Sequence, residues 1–284
     1  MNIFDNTPAT VDSHKGDTVS LKVEKIIKKW YETLEFSKEY DKEFYSYLES
    51  IKISDSININ TYKPGKNGKR DLLSFLYMCE DLKDKYKEMK IPESILIDTL
   101  KDIERWTNTW SDIKGKLYLG ECSWLSRHLS MKLFKLGRLQ FCMGQAEEDI
   151  EKFGVLKGDN VLEVHIPECG PLLIEECEKS IKMAREFFEE FFPDFKYKCF
   201  TCHSWLLDET LKEIIKPESN ILKFQTLFEK ICDEESDAIL KYVFNWNTTR
   251  RKLKKEVALS SFANKVKEKA LSGGKFYETL GAFK

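Results

Sequence analysis

Val161-Leu-Glu-Val-His-Ile-Pro-Glu-Cys-Gly170 and Tyr197-Lys-Cys-Phe-Thr-Cys-His-Ser-Trp-Leu206, with a helical stretch from about Leu173 to Phe192 between them, decide the fold. Apolar Leu162, Val164 and Ile166 alternate with Glu163 and His165, which is the pattern of a strand with one face in a core. Pro193 stops the helix that follows. Strand, helix, strand in this order implies two parallel neighbours at the centre of a sheet, joined by a right-handed crossover.

Side chains two apart on a strand share a face. Glu163 therefore goes with His165, and Thr201 with His203 and Trp205. If those faces coincide, the sheet carries a polar pocket. A lone strand histidine is more often a hydrogen-bonded structural residue than a catalyst; two on adjacent strands with polar neighbours make a candidate site. Histidine titrates near neutrality and can take a proton from an amine or thiol, while Glu163 can orient it or act as the base. His203 is then the candidate donor of a hydrogen bond or proton.

Working outward, Leu136-Gly-Arg-Leu-Gln-Phe-Cys-Met143 alternates and reads as a strand, adding Arg138 and Gln140 to the polar face, with Arg138 suited to a carboxylate or phosphate. Asn220-Ile-Leu-Lys-Phe-Gln-Thr-Leu-Phe228 reads as another strand that contributes Gln225. Tyr242-Val-Phe244 and Lys275 to Phe283 read as short strands, Leu211 to Ile215 as a short helical piece, and Ser260 to Leu271 as a helix ended by Gly273-Gly274.

Before Trp124 the spacing is helical. Val23, Ile26, Ile27, Trp30 and Leu34 recur at three and four residues, and Phe44, Leu48 and Ile51 suggest a second helix. A polar stretch around Pro64, Gly65, Asn67 and Gly68 forms a loop; Leu72 to Tyr86 and Pro92 to Trp110 resume the pattern. The chain therefore divides into a disordered lead-in over 1–20, a helical domain over 21–120 and a mixed domain over 121–284, with the join near Lys116 to Cys122. The fold class is α+β.

The 284 residues carry 42% hydrophobic and 33% charged side chains and a net charge of -2, which gives no overall drive toward nucleic acid or acidic membranes. No apolar run approaches the roughly 20 residues of a membrane span. With no secretory signal pattern at Met1 to Asp17, a cytoplasmic location is expected. The eight cysteines sit in apolar periodic segments and read as mostly reduced core thiols. Cys199-Phe-Thr-Cys202-His203 has the C-x-x-C-H form of haem attachment and the C-x-x-C core of zinc and redox sites. On a strand, however, Cys199 and Cys202 fall on opposite faces and cannot jointly hold one metal, so no metal is expected. Arg250-Arg-Lys-Leu-Lys-Lys255 reads as a solvated helix face.

Phe134-Lys-Leu-Gly-Arg-Leu-Gln-Phe141, the Val161 and Phe200 segments, Ser219-Asn-Ile-Leu-Lys-Phe-Gln225 and Ser272-Gly-Gly274 together resemble bacterial acyltransferase-like proteins that pair a helical N-terminal domain with a GNAT-like C-terminal domain. The resemblance implies transfer of an acyl group from acetyl-CoA or another acyl-CoA to a small-molecule amine acceptor, by direct attack on the thioester where the two parallel strands splay. It also implies that the pyrophosphate sits on the loop carrying Glu168 and Gly170. In place of the superfamily's Q/R-x-x-G-x-G/A, this loop reads Pro167-Glu-Cys-Gly-Pro171, in which Pro167 and Pro171 lack an N–H and Glu168 is negative. A non-catalytic module that keeps the fold and binds a ligand or protein partner is the competing class.

Overall fold

The computed structural model describes residues 13–51 and 53–284, with side chains from residue 21 onward. Residues 1–12 of the expected lead-in lie outside the described residues. The described chain divides into two compact units: the described part of Met1–Lys85 with Ile103–Leu129, and Tyr86–Asp102 with Ser130–Lys284.

The first unit is helical. It holds α1 (Ser13–Thr33), α2 (Asp41–Ser50), most of α3 (Gly68–Glu88), the second half of α4 (Glu93–Lys114) and α5 (Cys122–Leu129). Val23, Ile27, Trp30 and Leu34 are buried along one stripe of α1, as the spacing predicts. Tyr31 stacks on Phe44 of α2 with ring centroids 3.6 Å apart. The Trp30 indole donates to Glu80 Oε2 of α3 at 2.7 Å, so a large apolar ring is buried with its polar tip satisfied. Trp106 and Trp110 of α4 are only half-buried.

The second unit is a six-stranded mixed sheet with its helices. Its strands are β1 (Leu133–Leu136), β2 (Leu139–Gln145), β3 (Asn160–His165), β4 (Phe200–Ser204), β5 (Glu229–Glu235) and β6 (Tyr277–Phe283), in the order β1-β2-β3-β4-β6-β5. Only β3 and β4 are parallel, and α6 (Ile174–Phe191) is the crossover between them. On one face, Phe134 and Phe141 stand opposite each other in the register and Phe134 meets Phe187 and Phe188 of α6 at 4.8 and 5.8 Å. Arg185 of α6 lies 4.8 Å over the Phe200 ring on the same side. Leu162 and Val164, both buried, belong to this packed face. The first half of α4 belongs to this unit as well, and its Thr99 Oγ1 accepts the Lys135 N–H of edge strand β1 at 2.9 Å. No described helix is long and apolar enough to cross a membrane.

Several sequence expectations change. The single strand over 136–143 is a hairpin, because Gly137 takes φ +70 and turns the chain. Buried Ser180 of α6 fastens that turn, accepting the Leu139 N–H at 3.0 Å and donating to the Leu136 carbonyl. Residues 220–228 are not a strand. Asn220–Gln225 is helix α7, started by Ser219, whose hydroxyl accepts the Ile221 N–H at 3.3 Å, and the strand begins only at Glu229. Tyr242-Val243 ends helix α8 (Ala238–Val243), and Leu211 lies in a 3₁₀ turn, Glu209–Glu213. The Ser260 to Leu271 helix is present as α9 (Ser261–Leu271), capped by Ser260 Oγ on the Ala263 N–H at 3.0 Å and followed by Gly273 at φ +88. The basic block forms turns and a 3₁₀ helix rather than a helix face, with Arg250 Nε donating to Asp237 Oδ1 at 2.8 Å.

Candidate functional site

The two parallel central strands are in register at only two positions, Leu162 with Phe200 and Glu163 with Thr201. Beyond that point they part. N–H groups alternate sides along a strand, and Leu162 N–H donates toward β4, to the Cys199 carbonyl at 3.1 Å. Ile166 is the first residue past β3, and no described backbone carbonyl accepts from its N–H.

The face opposite α6 carries Glu163, His165, Thr201 and His203, since Glu163 and Thr201 are opposed and alternation brings the other two along. Gln140 joins them from β2, opposite His165 in the antiparallel register. His165 Nε2 lies 3.3 Å from Glu163 Oε2, with both side chains about 30% exposed. Thr201 and Gln140 are buried and His203 is exposed. Gly144 of β2 is what makes room for the carboxylate: any Cβ there would run into the Glu163 side chain.

Three of the sequence candidates act elsewhere. Trp205 does not continue the Thr201 and His203 face, because β4 ends at Ser204 and the ring stacks on Tyr242 and Phe262 at 6.1 and 6.4 Å. Gln225 spends its amide on the Leu206 and Asp208 carbonyls at 2.8 and 3.0 Å, holding the turn after β4. Arg138 sits in the hairpin turn and clamps the β3–α6 loop, donating to the carbonyls of Pro167, Gly170 and Pro171 at 2.9–3.0 Å.

That clamp is what the sequence alone conceals. It turns loop carbonyls inward to a guanidinium, while no described backbone carbonyl accepts from the N–H groups of Glu168, Cys169 and Gly170. Gly170 holds φ +107, which side chains of L residues rarely adopt. Glu168, Cys169 and Gly170 are exposed in the loop ahead of the α6 N-terminus, the kind of end that suits an anion.

The described cysteines are free thiols, and Cys169 and Cys232 are the exposed ones. Burial pushes the Cys232 thiol up to about 11, with the neighbouring Glu148 carboxylate, to which it donates, adding to the effect. Cys202 is fully buried and its thiol is raised by desolvation. Among the described residues no cluster of histidine, cysteine and carboxylate side chains could hold a metal ion.

Comparison with known proteins places this geometry. A family model described as GNAT-like C-terminal domain matches residues 133–283, and one described as N-acyltransferase N-terminal domain matches residues 23–131. No curated protein matches the chain. Among solved structures, an acyltransferase in complex with decanoyl-CoA and teicoplanin superposes with a TM-score of 0.66 at 25% identity, over 74% of this chain and 64% of that one. The acyltransferase in complex with decanoyl-CoA gives a TM-score of 0.67 at 25% identity, over 97% and 80%. A mutant acyltransferase in complex with octanoyl-CoA, at 24% identity and a TM-score of 0.67 over 76% and 66%, shares the fold. The chain spans less than two thirds of the length of the first and third of these.

Proposed function

This chain belongs to the GNAT-like C-terminal domain family, with an N-acyltransferase N-terminal domain ahead of it, and from that premise we propose that it transfers an acyl group from an acyl-CoA thioester to an amine on a small molecule. The observation that carries the reading is the parting of β3 and β4 beyond Glu163 and Thr201, followed by Ile166 and the 168–170 loop, whose N–H groups no described backbone carbonyl accepts. Solved acyltransferases of this fold were crystallised with decanoyl-CoA and octanoyl-CoA, which favours a medium-chain thioester.

In the proposed reaction the diphosphate lies on the N–H groups of Glu168, Cys169 and Gly170, whose loop Arg138 holds from behind. The Ile166 N–H donates to the thioester carbonyl and stabilises the oxyanion that develops there. The amine nitrogen attacks the carbonyl carbon, its proton passes to the Glu163 carboxylate, and the C–S bond breaks to release the coenzyme thiolate, which is then protonated. His165 orients Glu163, and exposed His203 supplies a hydrogen bond to the acceptor or the proton to the leaving thiolate. No covalent enzyme intermediate is needed.

Thermal-shift titration with acetyl-CoA, octanoyl-CoA and decanoyl-CoA tests this directly, since a ligand specific to the native state raises the melting temperature. A rise that is larger with the longer chains supports the reading. No shift with any thioester would leave the domain as a non-catalytic binding module.

A further inference from the structure

Gln140 is 2% exposed, and its side-chain Nε2 is buried with no hydrogen-bond partner. Leaving such a donor unpaired is costly, so a buried orphan in a site asks for the partner it meets at work. Its position names one. Gln140 stands directly opposite His165 across the β2–β3 ladder, and opposed side chains on one face have Cβ atoms about 4.5–5.5 Å apart. The His165 ring turns Nε2 toward Glu163 at 3.3 Å, a long contact that a modest rotation about the soft terminal torsion would alter.

We propose that Gln140 is a positioning residue: in the working enzyme its amide N–H donates to His165 Nδ1, which fixes the neutral ring as the Nε2–H tautomer. A neutral imidazole carries one donor and one acceptor, and the partner of one nitrogen decides the state of the other. With Nδ1 accepting, Nε2–H donates to Glu163. The carboxylate is then the only member of the pair able to receive the amine's proton, and His165 steadies it. This deepens the acyl-transfer reading and rests on it for its consequence, but the hydrogen bond itself stands on the β2–β3 register and the unpaired amide.

The tautomer is read without any thioester. The chain has four histidines, and the long-range 15N–1H spectrum of protein labelled at histidine separates the two neutral forms, with His165→Gln identifying the signal. The expected result for the wild type, with the ring neutral, is the Nε2–H form. Gln140→Leu loses that preference while keeping the fold, since an apolar side chain of similar length fills the same buried position. Gln140→Glu, whose carboxylate only accepts, reverses the ring to Nδ1–H. In the acyl-transfer assay, Gln140→Leu lowers kcat with KM for the thioester unchanged. A wild-type ring in the Nδ1–H form, or a tautomer indifferent to Gln140→Leu, overturns the proposal; because no thioester is present, that outcome is separate from a failed thermal shift.

Discussion

Glu163 and Thr201 are the last pair of residues in register between parallel strands β3 and β4, and their side chains share the face away from α6. Everything proposed for the site follows from that stop: a carboxylate held beside the opening, an imidazole two residues further along each strand, and just past β3 an N–H that no described backbone carbonyl accepts.

If the carboxylate takes the proton, Glu163→Gln keeps the shape and the contact to His165 but removes the base. Loss of a positioned base costs about 10²–10⁴-fold, so kcat falls by that factor while the affinity for acyl-CoA, measured by calorimetry, is unchanged. Retention of most of the wild-type rate of thiol release would remove Glu163 from the mechanism.

Arg138 supports the loop rather than touching the thioester, which separates its effect from that of Glu163. Arg138→Ala frees the carbonyls of Pro167, Gly170 and Pro171 and lets the loop relax, so coenzyme A binds more weakly, by about tenfold for each 1.4 kcal/mol of lost preorganisation. Arg138→Lys restores little, since one ammonium cannot span the fork that these carbonyls accept. Equal calorimetric affinity for wild type and both variants would contradict the clamp.

The sequence carried the centre of the sheet and lost its edges, for physical reasons. Alternation at Leu162, Glu163, Val164 and His165 has a single reading, and the crossover rule then supplied the parallel pairing of β3 with β4. Segment 220–228 has apolar Ile221, Leu222 and Phe224 in a run too short to show its period, and the Ser219 cap settled it as helix. β5 was missed because it is an edge strand whose residues are mostly exposed and charged, so it has no apolar face to read. Arg138 and Gln225 were legible as polar residues but not as loop supports, since their partners are backbone carbonyls that no side-chain pattern reveals. Trp205 failed differently: parity held up to Ser204, and the strand ended.

Edge strand β5 is tied to β6 by Asp233, whose Oδ1 accepts from Thr279 Oγ1 at 2.6 Å beside an ion pair to Lys230. Burial opposes the charge, but the hydrogen bonds from Lys230 and Thr279 outweigh it and hold the carboxyl below its usual 3.8. A depressed folded value contributes stability that is present above the unfolded value and lost as pH falls through the folded one. Urea midpoints should therefore separate wild type from Asp233→Asn at pH 7 and pH 5 and converge below about pH 3.8; a constant gap across that range would show that the charge is not what ties the strands.

Gly144 gives the sharpest separation of activity from stability. A glycine inside a strand is destabilising by about 0.5–1 kcal/mol relative to alanine, so Gly144→Ala taken alone should stabilise β2. Its new Cβ would instead meet the Glu163 side chain, whose carboxylate end can swing aside at little cost to the fold. The expected outcome is a melting temperature near that of the wild type together with a loss of kcat approaching that of Glu163→Gln. Because both substitutions act through one carboxylate, their effects should not add: Gly144→Ala in the Glu163→Gln background lowers kcat no further. Additive losses would mean that Gly144 serves the reaction by another route, such as close approach of the acyl chain to the bare β2 backbone.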